Sequence, residues 1–331
     1  MILAGDIGGT KTTLALFEIV GPKLRATEHV ATFPSGEHAT FGEILSAFLA
    51  EIPAGTTIDA CCLGVAGAVL DGRVETTNLP WEIDEPSLAE AVGAPRATLL
   101  NDLEATAYGM IHLDLGELHV LNTGTSRRRR GNVAVIAAGT GLGEATLFWD
   151  GRHFQPIASE GGHSDFAPRN PREVELLQYL WTKFGGHASY ERVLSGAGIV
   201  NLYEFLRVSG NAPEPSWLSD RFAEADDPAI VISQAGLKGE DANCVAALDM
   251  FAEIYGAEAG NLALNCLAVG GVFVGGGIAP KLLDALTNND AFMRGFTAKG
   301  RFSEFMERFH VSVSLNPRAA LLGAAYYAIE P

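Results

Sequence analysis

Asp6 interrupts an otherwise apolar run, LAGDIGGTKTTLALF (residues 3–17), directly before two glycines. A carboxylate in such a run needs a partner, because an unpaired buried charge is costly. Two readings stand open: it accepts backbone N–H groups of the Gly8-Gly9 turn, or it faces a Mg2+ ion brought by a nucleotide. Gly8, Gly9 and Thr10 supply what a phosphate needs, amides that allow close approach and a hydroxyl. Gly139-Thr140-Gly141-Leu142-Gly143 repeats that chemistry, and two such turns can hold one polyphosphate from both sides. Neither turn is a P-loop, since Gly-x-x-x-x-Gly-Lys-Ser/Thr is absent. Nor is either a dinucleotide fingerprint: the second reads GxGxG and leads into a strand, whereas a dinucleotide turn reads GxGxxG and opens a helix. An oxidoreductase thereby loses its main support.

Asp102, in RATLLNDLEATAYGM (residues 96–110), stands where an apolar strand gives way to a helical pattern. It is either a helix N-cap or, at the strand's carboxyl end where open α/β sheets bind ligands, an acceptor for the proton of an attacking hydroxyl. Phosphoryl transfer needs an oriented nucleophile and neutralised phosphate charge, and an aspartate suits the first task. SEGGHSDFAP (residues 159–168) places Glu160, His163 and Asp165 among glycines just after the second turn. These are donors and acceptors for a polyhydroxylated ligand, or the polar residues of a solvated loop. Zinc does not fit His163, because no cysteine or second histidine follows at ligand spacing. Glu191, in SYERVLSGAG, is equally a ligand carboxylate or a first-turn helix carboxylate favoured by the dipole.

These residues require strands that end in glycine turns. Three segments have that form: 3–17 and 133–149 read as strand, glycine turn, strand, and VFVGGGIAPKLL (272–283) as strand, Gly275-Gly276-Gly277, helix. Helical patterns follow Asn170-Pro171, where Asn170 is an N-cap and Pro171 the first helical residue, and cover roughly 242–268 and 318–329. Strands alternating with helices indicate an α/β protein, and two strand-turn-strand units about 130 residues apart indicate two similar lobes. The boundary is expected near Ile111 to Leu115, with the last helix returning to the first lobe. The expected domains are therefore 1–112 plus 312–331, and 113–311.

A chain of 331 residues, 47% of them hydrophobic, can bury a core for about two domains. The longest apolar stretch, Leu262 to Gly277, is glycine-rich, is interrupted by Asn265, and is short of the ~20 residues of a membrane helix. The first residues show no export signal, and Cys61, Cys62, Cys244 and Cys266 lack metal spacing, so free thiols in a reducing cytoplasm are expected. A net charge of -17 disfavours nucleic acid and anionic membranes, and favours a neutral substrate. The one basic run, Arg127 to Arg130, lies among turn residues and reads as a solvated loop.

Taken together, the segments resemble the bacterial glucokinase family, within the actin, hexokinase and heat-shock-70 ATPase superfamily, along the whole chain. LAGDIGGTKT resembles the family's first phosphate motif, LLNDLEATAYG its catalytic-aspartate segment and AAGTGLGEA its second phosphate motif. SEGGHSDFAP and ERVLSGAGIVNLY resemble its sugar-binding segments, VFVGGGIAP its adenosine motif, and AKGRF with NPRAALLGAA its tail. The resemblance implies two actin-like (ribonuclease H-like) α/β lobes that close a cleft around glucose and ATP. The small lobe would carry the first phosphate motif and the aspartate, and the large lobe the second motif, the sugar loop and the adenosine motif.

The reaction so implied is transfer of the γ-phosphate of ATP to the 6-hydroxyl of glucose, giving glucose 6-phosphate and ADP at the entry to glycolysis. Asp102 would be the general base, and Asn78 (in TNLPW), Asn101, Glu160, His163 and Glu191 would hold the sugar. Asp6, Gly8, Gly9, Thr10, Lys11, Gly139, Thr140 and Gly141 would handle phosphates and Mg2+, the metal meeting Asp6 through water, with Gly276 and Gly277 beneath the adenosine. A homodimer without nucleic-acid or membrane partners is expected. The related ROK kinases and repressors carry a cysteine-rich zinc motif after the His-containing segment; residues 164–200 contain no cysteine, so the chain resembles the zinc-free glucokinases. A single hydrogen bond separates glucose from mannose, fructose or glucosamine, which remain alternatives alongside a non-sugar actin-like ATPase.

Overall fold

The first strand, β1 (Ile2–Ile7), is buried except at Asp6, and reverses through the Gly8-Gly9 turn into β2 (Lys11–Val20), with Ile7 opposite Thr12. A computed structural model describes all residues except 77–78, 126–129, 158, 211 and 331. Asn78 and Arg127 to Arg129 thus lie outside the described residues; Arg130 sets its guanidinium over the Trp149 ring, 5.3 Å from the centroid. The chain divides into two units: Met1–Glu117 with Pro156–Ala158 and Asn316–Pro331, and Leu118–Gln155 with Ser159–Leu315.

In the first unit β3 (Lys23–Pro34), β2, β1, β4 (Ala60–Val65) and, after a small antiparallel sheet of β5 (Val69–Leu70), β6 (Arg73–Glu75) and β7 (Glu82–Asp84), β8 (Ala97–Asn101) form one five-stranded sheet in the order β3-β2-β1-β4-β8. β1, β4 and β8 run parallel, and Ile7, Val65 and Asn101 fall in one row. Their carboxyl ends therefore share an edge. Helix α1 (Phe41–Glu51), capped by the Thr40 hydroxyl, buries Phe41, Ile44, Leu45 and Phe48 at helical spacing against one sheet face. α2 (Glu85–Val92) and α3 (Asp102–Met110) complete this stretch.

The second unit repeats the plan. β9 (Leu118–Asn122) lies at one edge; β10 (Val133–Ala138) turns through Gly139 to Gly141 into antiparallel β11 (Leu142–Trp149), with β12 (Phe154–Ile157) outside it. Then come α4 (Pro171–Phe184), α5 (Gly196–Val208), α6 (Ser216–Glu224), α7 (Pro228–Leu237), the 25-residue α8 (Ala242–Cys266), β13 (Gly271–Gly275), α9 (Leu283–Thr287), α10 (Ala291–Thr297), α11 (Ser303–Met306) and β14 (Val311–Ser314). The six strands are ordered β12-β11-β10-β13-β14-β9, and β13 runs parallel to β10 as β4 does to β1.

α12 (Ala319–Tyr327) then rejoins the first unit, crossing α3 backbone to backbone: a Cβ on Gly109 would lie 1.9 Å from the Ala319 carbonyl, and one on Gly323 1.8 Å from the Ala105 carbonyl. Only glycine permits that approach. The boundary differs from the expected one, because Val311–Ser314 is a fully buried strand paired with β13 and β9, which holds residues up to Leu315 in the second unit. All four cysteines are free, and burial pushes the Cys61 thiol up to about 12. Among the described residues no helix is long and apolar enough to cross a membrane.

Candidate active site

In the first unit the glycine turn is held by a residue that sequence reasoning passed over. Ser35 donates its hydroxyl to the Gly8 carbonyl (2.7 Å) and its N–H to the Thr10 carbonyl (3.0 Å), and its buried Oγ lies 3.0 Å from that of Thr12. A lone serine after Pro34 carries no motif, which is why only the fold reveals it. Asp6 sits beside this turn, where burial raises its carboxyl above the usual range and the Lys11 ammonium opposes that shift. A desolvated carboxylate next to a phosphate-type turn suits an additional cation with its waters.

Two strands along, Asn101 rather than Asp102 caps α3. The Asn101 Oδ1 accepts from Leu103 N (2.9 Å), while the Glu104 carboxylate accepts from Asn101 N (2.8 Å), a reciprocal capping box. Its Nδ2 donates to the Gly67 carbonyl (2.9 Å), so both polar ends of the Asn101 side chain are used by the fold. Asp102 is the first helical residue, only partly buried, and accepts from Leu103 N at 2.8 Å. The capping reading of Asp102 thus passes to its neighbour. With Ile7, Val65 and Asn101 in one row, Asp102 and the first glycine turn are about two strand spacings apart, roughly 10 Å.

In the second unit the glycine turns at the ends of β10 and β13 press together: Gly276 has φ +78°, and a Cβ there would lie 2.2 Å from the Ala138 carbonyl. The hydroxyl of Tyr255, buried beneath, accepts from Ala138 N (3.0 Å) and lies 3.3 Å from the Ile136 carbonyl and 3.4 Å from that of Gly275. A cavity of about 750 Å³ opens from Gly139, Thr140, Gly196 and Ala197 toward Asp227, Ser233, Gln234, Gly277, Ile278 and Lys281. Its phosphate-type turn at one end and mixed apolar and polar walls suit a nucleotide. Asp227, Gln234 and Lys281 had no signal in the sequence, since they belong to helices and turns distant from any glycine motif.

Glu191 joins this turn to the loop of residues 159–168. Its Oε2 accepts from Leu142 N (3.0 Å) and would lie 2.4 Å from a Cβ on Gly141. Gly162 in turn abuts the Leu142 carbonyl, where a Cβ would come within 2.0 Å. Phe166 N–H to Ala188 and Tyr190 N–H to Ser164 zip the loop against the Glu191 segment. Glu160 and His163 project from its short 3-10 turn, 4.0 Å apart, with side chains 76% and 61% exposed and available to a ligand. The fold therefore gathers Glu160, His163, Glu191 and the second glycine turn in one unit, and Asp6, the first turn and Asp102 in the other. Among the described residues no group of three or more His, Cys, Asp or Glu forms a metal centre.

Comparison with known proteins gives this geometry a family. The sequence profile of the family described as Glucokinase matches residues 3–331. A glucokinase of Nostoc punctiforme is 40% identical over 340 residues, covering 99% of this chain and 98% of its own. The crystal structure of a glucokinase from an Antarctic psychrotroph superposes with a TM-score of 0.87 at 30% identity, covering 99% of this chain and 98% of that one. A ROK family glucokinase from Streptomyces griseus, solved in complex with glucose and AMPPNP, shares the fold at a TM-score of 0.65 and 23% identity, over 99% and 98% of the two chains. The chain belongs to the glucokinase family.

Proposed function

We infer that the protein transfers the γ-phosphate of ATP to the 6-hydroxyl of glucose. The observation that carries this reading is the match of the glucokinase family along residues 3–331, together with a carboxylate, Asp102, at the carboxyl edge of the sheet that bears the first phosphate-type turn. In this reading Asp102 accepts the proton of the 6-hydroxyl as its oxygen bonds to the γ-phosphorus, the bond to the bridging oxygen breaks, and ADP leaves. Asn101 performs the capping and so fixes the helix start at which Asp102 stands; Asn101 serves the sugar site in that way.

Glu160, His163 and Glu191 would pair with sugar hydroxyls, with Asn78 assigned to the same task by family resemblance. Gly8, Gly9, Thr10 and Lys11 of the first turn and Gly139, Thr140 and Gly141 of the second would receive the phosphates through backbone amides and hydroxyls. Gly276 and Gly277 would lie against the adenosine, Gly277 lining the 750 Å³ cavity. Magnesium, when bound, offsets the charge on the transferred phosphate, and Asp6 would hold it through water. Buried free thiols fit a reducing cytoplasm, and a homodimer is the assembly the family resemblance implies.

A coupled assay of ADP release across glucose, mannose, fructose and glucosamine tests the proposal. Glucose-dependent turnover with the highest kcat/KM for glucose is expected. Equal ADP release without any sugar would replace the kinase with an ATPase, and a preference for another hexose would replace the substrate.

A further inference from the structure

Behind the sugar loop lies a second pair of carboxyl groups that the reaction does not use. Glu144 points inward from β11, opposite Ile136, and is 4% exposed; Glu258, on α8, is 5% exposed. The two side chains hydrogen-bond to one another. Two ionised carboxylates at this depth would each lack solvent and repel, whereas one proton between them makes one a donor and the other an acceptor.

The surroundings decide which holds the proton. Glu258 accepts from Asn261 Nδ2 (2.8 Å) and from the Tyr190 hydroxyl, and the Lys299 ammonium lies nearby, bonded to Asn261 Oδ1 (2.6 Å) and the Ala257 carbonyl (2.8 Å). Arg169, the other cation of this cluster, is engaged with Glu173 and Glu253, and Tyr255 faces Glu144 only as a neutral phenol. Glu144 has no such support: among the described residues no donor reaches its buried Oε1. The donors thus gather on Glu258, and Glu144 is the member of the pair that keeps the proton.

The pair touches both chain segments of the sugar site. The Glu144 Oε2 lies against Gly161, where a Cβ would come within 2.3 Å, and Gly161 follows Glu160 directly. On the other side Glu258 holds Tyr190, whose N–H bonds to Ser164 and which precedes Glu191. We propose that Glu144 and Glu258 are a buried acid pair joined by one proton, that they position the loop bearing Glu160 and His163 and the neighbouring Glu191, and that loss of the proton weakens the hold on sugar. They are positioning residues, and the proposal rests on the sugar-kinase reading.

Burial and the Glu258 charge push the Glu144 carboxyl up to about 8, while burial brings Lys299 down to about 8, so a cation beside Glu258 fades over the same range. Between pH 7 and pH 9 the competent, protonated fraction falls by roughly tenfold, and the apparent affinity for glucose falls with it. The wild type should show a rise in glucose KM of that size with kcat little changed, because neither glutamate touches substrate.

Glu144→Gln tests this, since its amide can still donate to Glu258 but cannot titrate; Glu258→Gln is the second variant should the first fail to fold. The expected result is a glucose KM close to wild type at pH 7 and flat to pH 9. In parallel, the infrared difference spectrum between the two pH values should show the carbonyl stretch of an un-ionised carboxyl in the wild type and not in Glu144→Gln. A folded Glu144→Gln protein that keeps the wild-type rise in KM would assign that rise to Lys299 or another group and overturn the proposal, as would a wild type without the infrared band. A wild type that turns over no hexose at all overturns the kinase reading instead, which the spectrum does not depend on.

Discussion

Asp102 begins a helix that its neighbour caps, so the capping box of Asn101 and Glu104 survives replacement of Asp102. Asp102→Ala should leave the melting temperature and glucose binding near wild type while lowering kcat by at least ~100-fold, the low end for a general base. Steady-state kinetics on the folded variant checks it, and near-normal kcat would return Asp102 to a structural role. Asp6 presents the opposite balance: burial works against its charge, with Lys11 opposing. Asp6→Asn should therefore not cost the fold much, yet should raise the magnesium concentration needed for half-maximal rate far more than it raises glucose KM. An unchanged magnesium titration would leave Asp6 as a turn residue.

At the scale of elements, each unit turns on a strand, a glycine turn and an antiparallel strand, flanked by a parallel third strand. In the second unit the turns after β10 and β13 meet at Gly276 and Ala138, with Tyr255 bonded to both strand ends from below. An added methyl at Gly276 meets both a carbonyl at 2.2 Å and a backbone at φ +78° that side chains rarely adopt. Gly276→Ala should cost about 1 to 3 kcal/mol, read as a lower melting temperature, and should raise KM for ATP more than KM for glucose. Equal changes in both KM values would place the effect on stability alone.

For the molecule as a whole, pH acts on stability through buried groups. His112 stacks on Tyr326 with ring centroids 3.7 Å apart, and burial brings its imidazole down to about 4 although Glu330 pulls it upward. Its Nε2 is buried, and among the described residues it has no hydrogen-bond partner. Because the folded value lies below the ordinary 6.5, the contribution is complete above 6.5 and is lost as pH falls toward 4, up to about 3 kcal/mol. Glu144 has the reverse sign: raised from 4.5 to about 8, it contributes fully below 4.5 and loses that contribution as pH rises through 8. Between about pH 4.5 and 6.5 the two slopes oppose and nearly cancel, so from these groups the melting temperature should be level there and decline as pH rises from 6.5 through 8. His112→Phe, which keeps a ring on Tyr326 but cannot take a proton, should leave the Glu144 slope unopposed, so that its melting temperature rises as pH falls from 6.5 toward 4.5; a profile as level as that of the wild type would assign the effect to other groups.

The order of glycine turns, the strand before Asp102 and the helix after Asn170 were all legible in the sequence, because each rests on local chemistry: alternation of apolar residues, glycine where backbones turn, and capping side chains next to a helix start. The placement of Asp6 and Asp102 at strand ends follows from the same local patterns. What local pattern could not settle was which neighbour does which task. Asn101 and Asp102 are both good caps by type, and only the approach of Gly67 and Glu104 gives the cap to Asn101. Ser35, Asp227, Gln234 and Lys281 reach their turn and cavity from distant segments, so no spacing announced them. Glu144 stands in the second glycine motif without a reading of its own; pairing of β11 with β10 turns it inward, and α8 brings Glu258 to meet it. Such meetings depend on contacts between residues far apart in the chain, which hydrophobic period and turn chemistry constrain only through the tertiary fold.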